Sequence, residues 1–257
     1  MDSSKVLIRR EGILSFMREH GDISIEEICE AFEISPVTAR RDIKALQIEN
    51  MVWKVNQGYF SAIRPLSSQD NREIDKIRFH ITELTVNSLA NNSIVFLGPE
   101  TVNELIADML LEKKRGLTII ASNINHVSIL RNQDRHDVYL TGGKIDPQTG
   151  IVYGSYAENV IGAIISDVAI FGCSSINLEK GVIFRSELET QIISKVSMFC
   201  KNLFIIADHT QFTDELSGSI FQLKKINAIF TDNEVDANSI KKIRDMGIKV
   251  FQTTYQA

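Results

Sequence analysis

Two adjacent arginines inside a short, well-capped helical pattern are the first chemistry this sequence offers. They stand in Ser35-Pro36-Val37-Thr38-Ala39-Arg40-Arg41-Asp42-Ile43-Lys44-Ala45-Leu46. Ser35 is a good N-cap, and Pro36 suits the first helical position, where its missing N–H would be unsatisfied anyway. On a helical wheel Ala39, Ile43 and Leu46 share one face, which would be buried. Val37, Arg41 and Lys44 project from roughly the opposite side, with Thr38 and Arg40 on the flanks. A short helix with one apolar and one basic side suits insertion into the DNA major groove. Arg40, Arg41 and Thr38 are expected at phosphates and base edges. Lys44 and, further on, Lys54 are expected mainly on the backbone, and Ser35 and Pro36 open the contact segment.

A second set of candidate residues is spread over five short polar stretches, each directly after an apolar run. They are Gly98-Pro99-Glu100-Thr101, Ser122-Asn123, Thr141-Gly142-Gly143-Lys144, Gly172-Cys173-Ser174-Ser175 and Asp208-His209-Thr210-Gln211. Glycines permit close backbone approach, and Ser, Thr and Asn supply donors for phosphate or hydroxyl oxygens. Taken singly, each stretch is also what ordinary turns are made of. Their shared position after strands makes the set a candidate small-molecule site. Gly98, Glu100, Thr101, Ser122, Asn123, Gly142, Gly143, Lys144, Asp208 and Gln211 are its nominated residues, with Arg185 as a further cation.

The elements that must hold the arginines are legible around them. Arg9 to Glu19 carries Ile13, Leu14 and Met17 on one helical face and ends at Gly21. Ser24-Ile25-Glu26-Glu27 is a capping box opening a second helix, with Ile25, Ile28, Cys29 and Phe32 at helical spacing. Downstream, Met51 to Val55 and Tyr59-Phe60 read as short strands around Asn56-Gln57-Gly58, a β-wing. Three helices and a wing make a winged helix-turn-helix over residues 1–60. The polar, proline-containing stretch 61–74 suits a linker.

From residue 75 to 257 the pattern is strand alternating with helix. Strands are expected at 93–97, 117–121, 138–140, 168–172, 203–207, 228–231 and 249–252. Helices are expected at 75–89, 102–112, 156–164, 187–200 and 238–246. Such alternation implies a largely parallel sheet covered on both faces, with ligands outside the carboxyl ends of the strands.

Composition agrees with two domains: 257 residues, 44% hydrophobic. Lys+Arg 28 against Asp+Glu 33 makes the chain acidic, so nucleic-acid binding would depend on a local patch at Arg40, Arg41, Lys44 and Lys54. One such patch is small for tight operator binding, and a homodimer or homotetramer is expected. The sequence has no apolar run of about eighteen residues and no apolar signal-peptide region at its start, so a cytoplasmic location without membrane contact is expected. Cys29, Cys173 and Cys200 are scattered in apolar contexts, which suits buried free thiols and no metal site.

Ser35-Pro36-Val37-Thr38-Ala39-Arg40-Arg41-Asp42-Ile43 closely resembles the DeoR family signature, a V-S-x-x-T-I-R-R-D-L core opening the recognition helix. The family wing ends in R-x-H-G-G-A, where this chain has Lys54-Val55-Asn56-Gln57-Gly58-Tyr59. Order and spacing of the second domain are similar to the DeoR-type sensor, which resembles ribose-5-phosphate isomerase and CoA-transferase folds. Asn123 matches the family's Thr-Asn turn, Gly142-Gly143 its Gly-Gly turn, and Ala207-Asp208-His209 its Asp-His-Ser-Lys-Phe element. The resemblance implies an α/β chain that binds double-stranded operator DNA and represses carbohydrate genes until a sugar-derived effector relieves it, with no cofactor.

Departures from that family bear on the effector. Its D-x-G-[ST]-T loop corresponds to Gly98-Pro99-Glu100-Thr101, with a carboxylate in place of the glycine. Its Asp-His-Ser-Lys-Phe lysine is Gln211, and a second common lysine falls on Ile193. Two cations lost and one anion gained weaken phosphate binding; Arg185 or Lys144 would have to compensate. Two other readings compete. One is a ligand-independent DNA-binding and oligomerisation protein with a vestigial sensor. The other is an isomerase-like enzyme, for which Glu100, Asp208 and His209 are the acid/base candidates. No nucleophile elbow, P-loop or metal-ligand spacing supports catalysis.

Overall fold

The computed structural model describes residues 3–48, 51–56, 59–61, 72–131, 133–214 and 218–254. The chain divides into two compact units, Met1–Lys76 and Ile77–Ala257. Most of the expected linker, and Gln57 and Gly58 of the expected wing turn, lie outside the described residues.

In the first unit, α1 spans Ser3–His20, β1 Ile23–Ser24, α2 Ile25–Phe32, α3 Pro36–Ile48, β2 Trp53–Asn56 and β3 Tyr59–Ser61. Gly21 ends α1 at φ 84°, its N–H reaching the Met17 carbonyl at 2.9 Å. Both halves of the predicted capping box form at α2, Glu27 N–H to Ser24 Oγ and Ser24 N–H to Glu27 Oε2. The predicted faces meet in one core, where Ile13, Met17, Ile28, Ala39, Ile43 and Leu46 are 0–1% exposed. β2 and β3 pair antiparallel, as expected of a wing. The short β1, which the sequence analysis did not identify, adds to the other edge of β3.

The second unit begins with α4 (Arg72–Ser88, its first residues lying in the first unit), β4 (Ile94–Leu97), α5 (Val102–Lys113), β5 (Thr118–Ala121), α6 (Ile124–Leu130) and β6 (Asp137–Leu140). A small antiparallel pair follows, β7 (Lys144–Ile145) with β8 (Val152–Tyr153), then α7 (Ser155–Ala163) and β9 (Val168–Gly172). β10 (Ser175–Asn177) and β11 (Gly181–Phe184) precede α8 (Glu187–Val196) and β12 (Leu203–Ile206). β13 (Ser219–Phe221), β14 (Ala228–Thr231), α9 (Ala237–Asp245) and β15 (Lys249–Gln252) complete the described chain.

Seven described strands form one parallel sheet in the order β15-β14-β12-β9-β4-β5-β6. Its inner strands are continuous β-branched and aromatic runs, and β14 is buried at every position, as a strand covered on both faces must be. Phe96 stacks on Phe171 with ring centroids 5.8 Å apart, and Phe184 meets Phe171 edge-on at 6.4 Å. The edge strands β6 and β15 are largely exposed and carry Asp137 and Lys249, charges that discourage further pairing.

The structure corrects three readings in this unit. The helix expected to reach Cys200 stops at Val196. The helix α6 was not foreseen, its seven residues being too few to show periodicity. The stretch after Gly172 leads into a second sheet, β10-β11-β13, antiparallel and mostly buried. No described helix is long and apolar enough to cross a membrane.

Candidate functional site

On α3 the cap holds as read. Ser35 Oγ accepts the Thr38 N–H at 3.3 Å and shares a 2.9 Å hydrogen bond with Thr38 Oγ1. Val37, Arg40, Arg41 and Lys44 are exposed, Val37 to 75%, while Asp42 between them is 1% exposed. Asp42 accepts Arg9 Nε at 2.7 Å and Arg10 Nε at 3.1 Å. The Arg-Arg-Asp triplet therefore divides its labour: the acid ties α3 back to α1, and the two arginines stay outside. Lys54 is exposed on β2. The first unit thus presents a solvent-facing helix with basic and small apolar side chains, backed by its own core.

In the second unit the five polar stretches follow β4, β5, β6, β9 and β12, five adjacent strands of the sheet. The chain enters at β4, builds outward through β5 and β6, then returns to the other side of β4 with β9. The order reverses between β4 and β9, and in open α/β sheets that reversal opens the ligand crevice.

Glu100 sits there. Its Oε2 accepts the Gly172 N–H at 3.2 Å and Asn103 Nδ2 at 3.1 Å. Asn103 Nδ2 also reaches the carbonyls of Gly98 at 3.0 Å and Ile170 at 3.3 Å. Glu100 is half-buried as a residue, but its Oε1 is closed off from solvent and has no hydrogen-bond partner among the described residues. Burial pushes the Glu100 carboxyl well above the usual carboxylate range, helped by the nearby Glu189 and opposed by the amide donors. Burial likewise raises Glu189. The Cys173 thiol is raised by burial and by Glu100 and Asp208.

Asp208 is fully buried and paired with Arg78 Nε at 2.7 Å. Gln211 closes a capping box with Asp208, accepting its N–H at 2.9 Å, and donates Nε2 to the Cys173 carbonyl. The His209 N–H goes to Asp232 Oδ2 at 2.7 Å, and its ring lies between Asp232 and Glu234. The acid/base candidates Glu100, Asp208 and His209 thus each have internal partners.

The remaining nominated residues divide. Ser122 Oγ donates to the Leu97 carbonyl at 3.3 Å. Asn123 caps α6 and bridges two loops, donating to the carbonyls of Pro99 and Thr149, each at 3.0 Å. Thr101 is exposed at the start of α5 without a side-chain cap bond. Gly142 and Gly143 take φ 72° and 113°, and a Cβ on Gly143 would lie 2.5 Å from the Tyr153 carbonyl oxygen. Lys144 is exposed, its ammonium 5.7 Å from the Tyr153 ring centre. Arg185 is exposed, and its charge acts on Glu189. Ile193 is fully buried, so the position aligned with the second family lysine faces the core.

Three residues at this site escaped the sequence analysis. Arg78 lies on α4, 130 positions from its partner, with no local signal. Asn103 stands two residues beyond the Gly98–Thr101 stretch and would have been found by extending it into the first turn of α5. Glu189 falls inside the helix expected from Glu187 and was given no role of its own; in the structure it caps Ser186.

A winged helix-turn-helix unit and an α/β unit with polar strand ends define a DNA-binding regulator with a sensor-type domain. The chain belongs to the DeoR family: a DeoR-like helix-turn-helix domain matches residues 9–62, and a DeoR C terminal sensor domain matches residues 76–233. It is 25% identical over 233 residues to the glycerol-3-phosphate regulon repressor of Haemophilus influenzae, covering 88% of this chain and 89% of that protein. It is 24% identical over 236 residues to the HTH-type transcriptional repressor GlcR of Bacillus subtilis, covering 87% of each. Among solved structures, ribose 5-phosphate isomerase from Plasmodium falciparum superposes with a TM-score of 0.39 at 17% identity, covering 54% of this chain and 53% of that one.

Proposed function

We propose that this regulator is a repressor of carbohydrate-metabolism genes, binding operator DNA as a homodimer or homotetramer and released by a sugar-derived effector. Residues 1–60 bind DNA, 61–74 link, and 75–257 sense and assemble. Residues α3 presents outward, Thr38, Arg40 and Arg41, contact phosphates and base edges, and Lys44 and Lys54 contact the backbone. Ser35 and Pro36 set the helix start against the DNA. Gly98, Glu100, Thr101, Ser122, Asn123, Gly142, Gly143, Lys144, Arg185, Asp208 and Gln211 surround the effector, either touching it or fixing the loops that do. The chain acts by binding, not by catalysis.

The observation that carries this reading is the outward basic face of α3, held in place by the inward Asp42. The name of one relative, a glycerol-3-phosphate regulon repressor, supports the carbohydrate assignment. In vitro selection of duplex DNA by the full chain tests it. Recovery of a symmetric site whose affinity falls with salt is expected, and enrichment of no sequence would overturn it.

A further inference from the structure

The crevice between β4 and β9 already contains a carboxyl group. Glu100 takes the Gly172 N–H and the Asn103 amide, donors that an incoming anion at this position would need. The neighbouring donors are committed as well. Gln211 Nε2 goes to the Cys173 carbonyl, Asn123 Nδ2 to Pro99 and Thr149, and the Arg78 guanidinium to Asp208. The acidic groups Glu189 and Asp208 act on the same space.

Two buried atoms at this point are left open: Glu100 Oε1 and Oδ1 of the fully buried Asn103 have no hydrogen-bond partner among the described residues. A phosphate dianion can donate to neither, and the amide donors it would need already serve Glu100. A hydroxyl group can donate to either atom, and can also accept from Glu100 when that carboxyl is protonated, bringing no charge that must be neutralised.

We propose that Glu100 is a built-in occupant of the anion position between β4 and β9, so that this site takes an uncharged polyol or sugar and excludes its phosphate ester. The proposal rests on the reading of the strand ends as the effector site. It makes Glu100 the residue that sets effector class, acting by filling a cradle that glycine would leave empty.

The test uses the full-length chain and two matched probe sets: ribitol, D-glucitol, D-mannitol and galactitol, and the phosphate monoester of each. At about 5 mM, specific binding is read as a rise in melting temperature; polyol exclusion from the protein surface contributes little at that concentration. At least one free polyol is expected to raise the sensor transition by about 3 °C, and its ester by less than about 0.5 °C. Glu100→Gly is expected to lose the polyol shift and gain one with the ester; Glu100→Ala serves should the glycine variant not fold. An ester that shifts the wild type as much as its parent polyol overturns the proposal. So does silence across all the polyols. Operator binding by the same preparations, followed by fluorescence anisotropy, is independent of both results, and its loss would overturn the regulator reading instead.

Discussion

Arg9 and Asp42, 33 positions apart, meet at 2.7 Å, and through them the first helix of the winged unit grips α3. Asp42 shares its other oxygen with Arg10. An acid only 1% exposed, held by two guanidiniums about a fifth exposed, is an orienting device as much as a stabilising one.

Replacing Asp42 with Ala is expected to destabilise the N-terminal unit by about 1–3 kcal/mol, the range for losing charge-assisted hydrogen bonds to a buried group. Chemical denaturation followed at Trp53 would report this unit. An unchanged midpoint would mean that the clamp contributes nothing to the fold.

Arg41→Ala should do the reverse. Its side chain is exposed, so stability stays within about 0.5 kcal/mol of wild type. Specific operator affinity should fall at least about tenfold, and the salt dependence should lose about one phosphate contact. Wild-type affinity in this variant would refute the orientation proposed for α3. Val37→Ala, at an equally open position, is expected to leave the salt slope alone and relax preference for thymine at one base pair, read by competition with substituted sites.

Removing Arg78 strands a fully buried carboxylate. Arg78→Ala is expected to destabilise the sensor unit by about 3 kcal/mol, and adding Asp208→Asn should recover most of that. A double variant no more stable than the single one would show that the cost lies in lost packing and not in the orphaned charge.

Glu100 sets a pH dependence whose sign follows from its raised pKa. The folded state keeps this proton to higher pH than the unfolded chain does. Stability from that group is therefore complete below the ordinary glutamate range and is lost as pH rises towards the folded value. Glu100→Gln cannot titrate. The stability of wild type relative to this variant should fall as pH rises above the ordinary glutamate range, measured by urea unfolding. A flat difference would mean that Glu100 is ionised in the folded protein as freely as in water.

The winged unit and the parallel strands were legible because their signals are local. A capping box lies within four residues, a recognition helix shows its buried face through Ala39, Ile43 and Leu46, and a central strand is a run such as Ile94–Leu97. What stayed hidden is what depends on chain segments far apart. β1 is two residues long and becomes a strand through its pairing with β3. The antiparallel β10-β11-β13 sheet joins Ser175 to Phe221 across an intervening helix and strand. Glu100 was visible as a departure from the DeoR pattern, but that its carboxyl would find the Gly172 amide depends on β4 lying beside β9. Arg78 had no visible partner until α4 was placed over the end of β12.

The pairing of β4 with β9 also sets an order of events during synthesis. Val95 must wait for Val168 to be made before the centre of the sheet can close. The winged unit has its own core among residues 13–60 and needs nothing from later in the chain to bury it. Domains fold in turn as they leave the ribosome, at about 5–20 residues per second. For several seconds, then, each nascent chain carries a finished DNA-reading head on a sensor that has no crevice, and gene recognition matures before the capacity to be switched off.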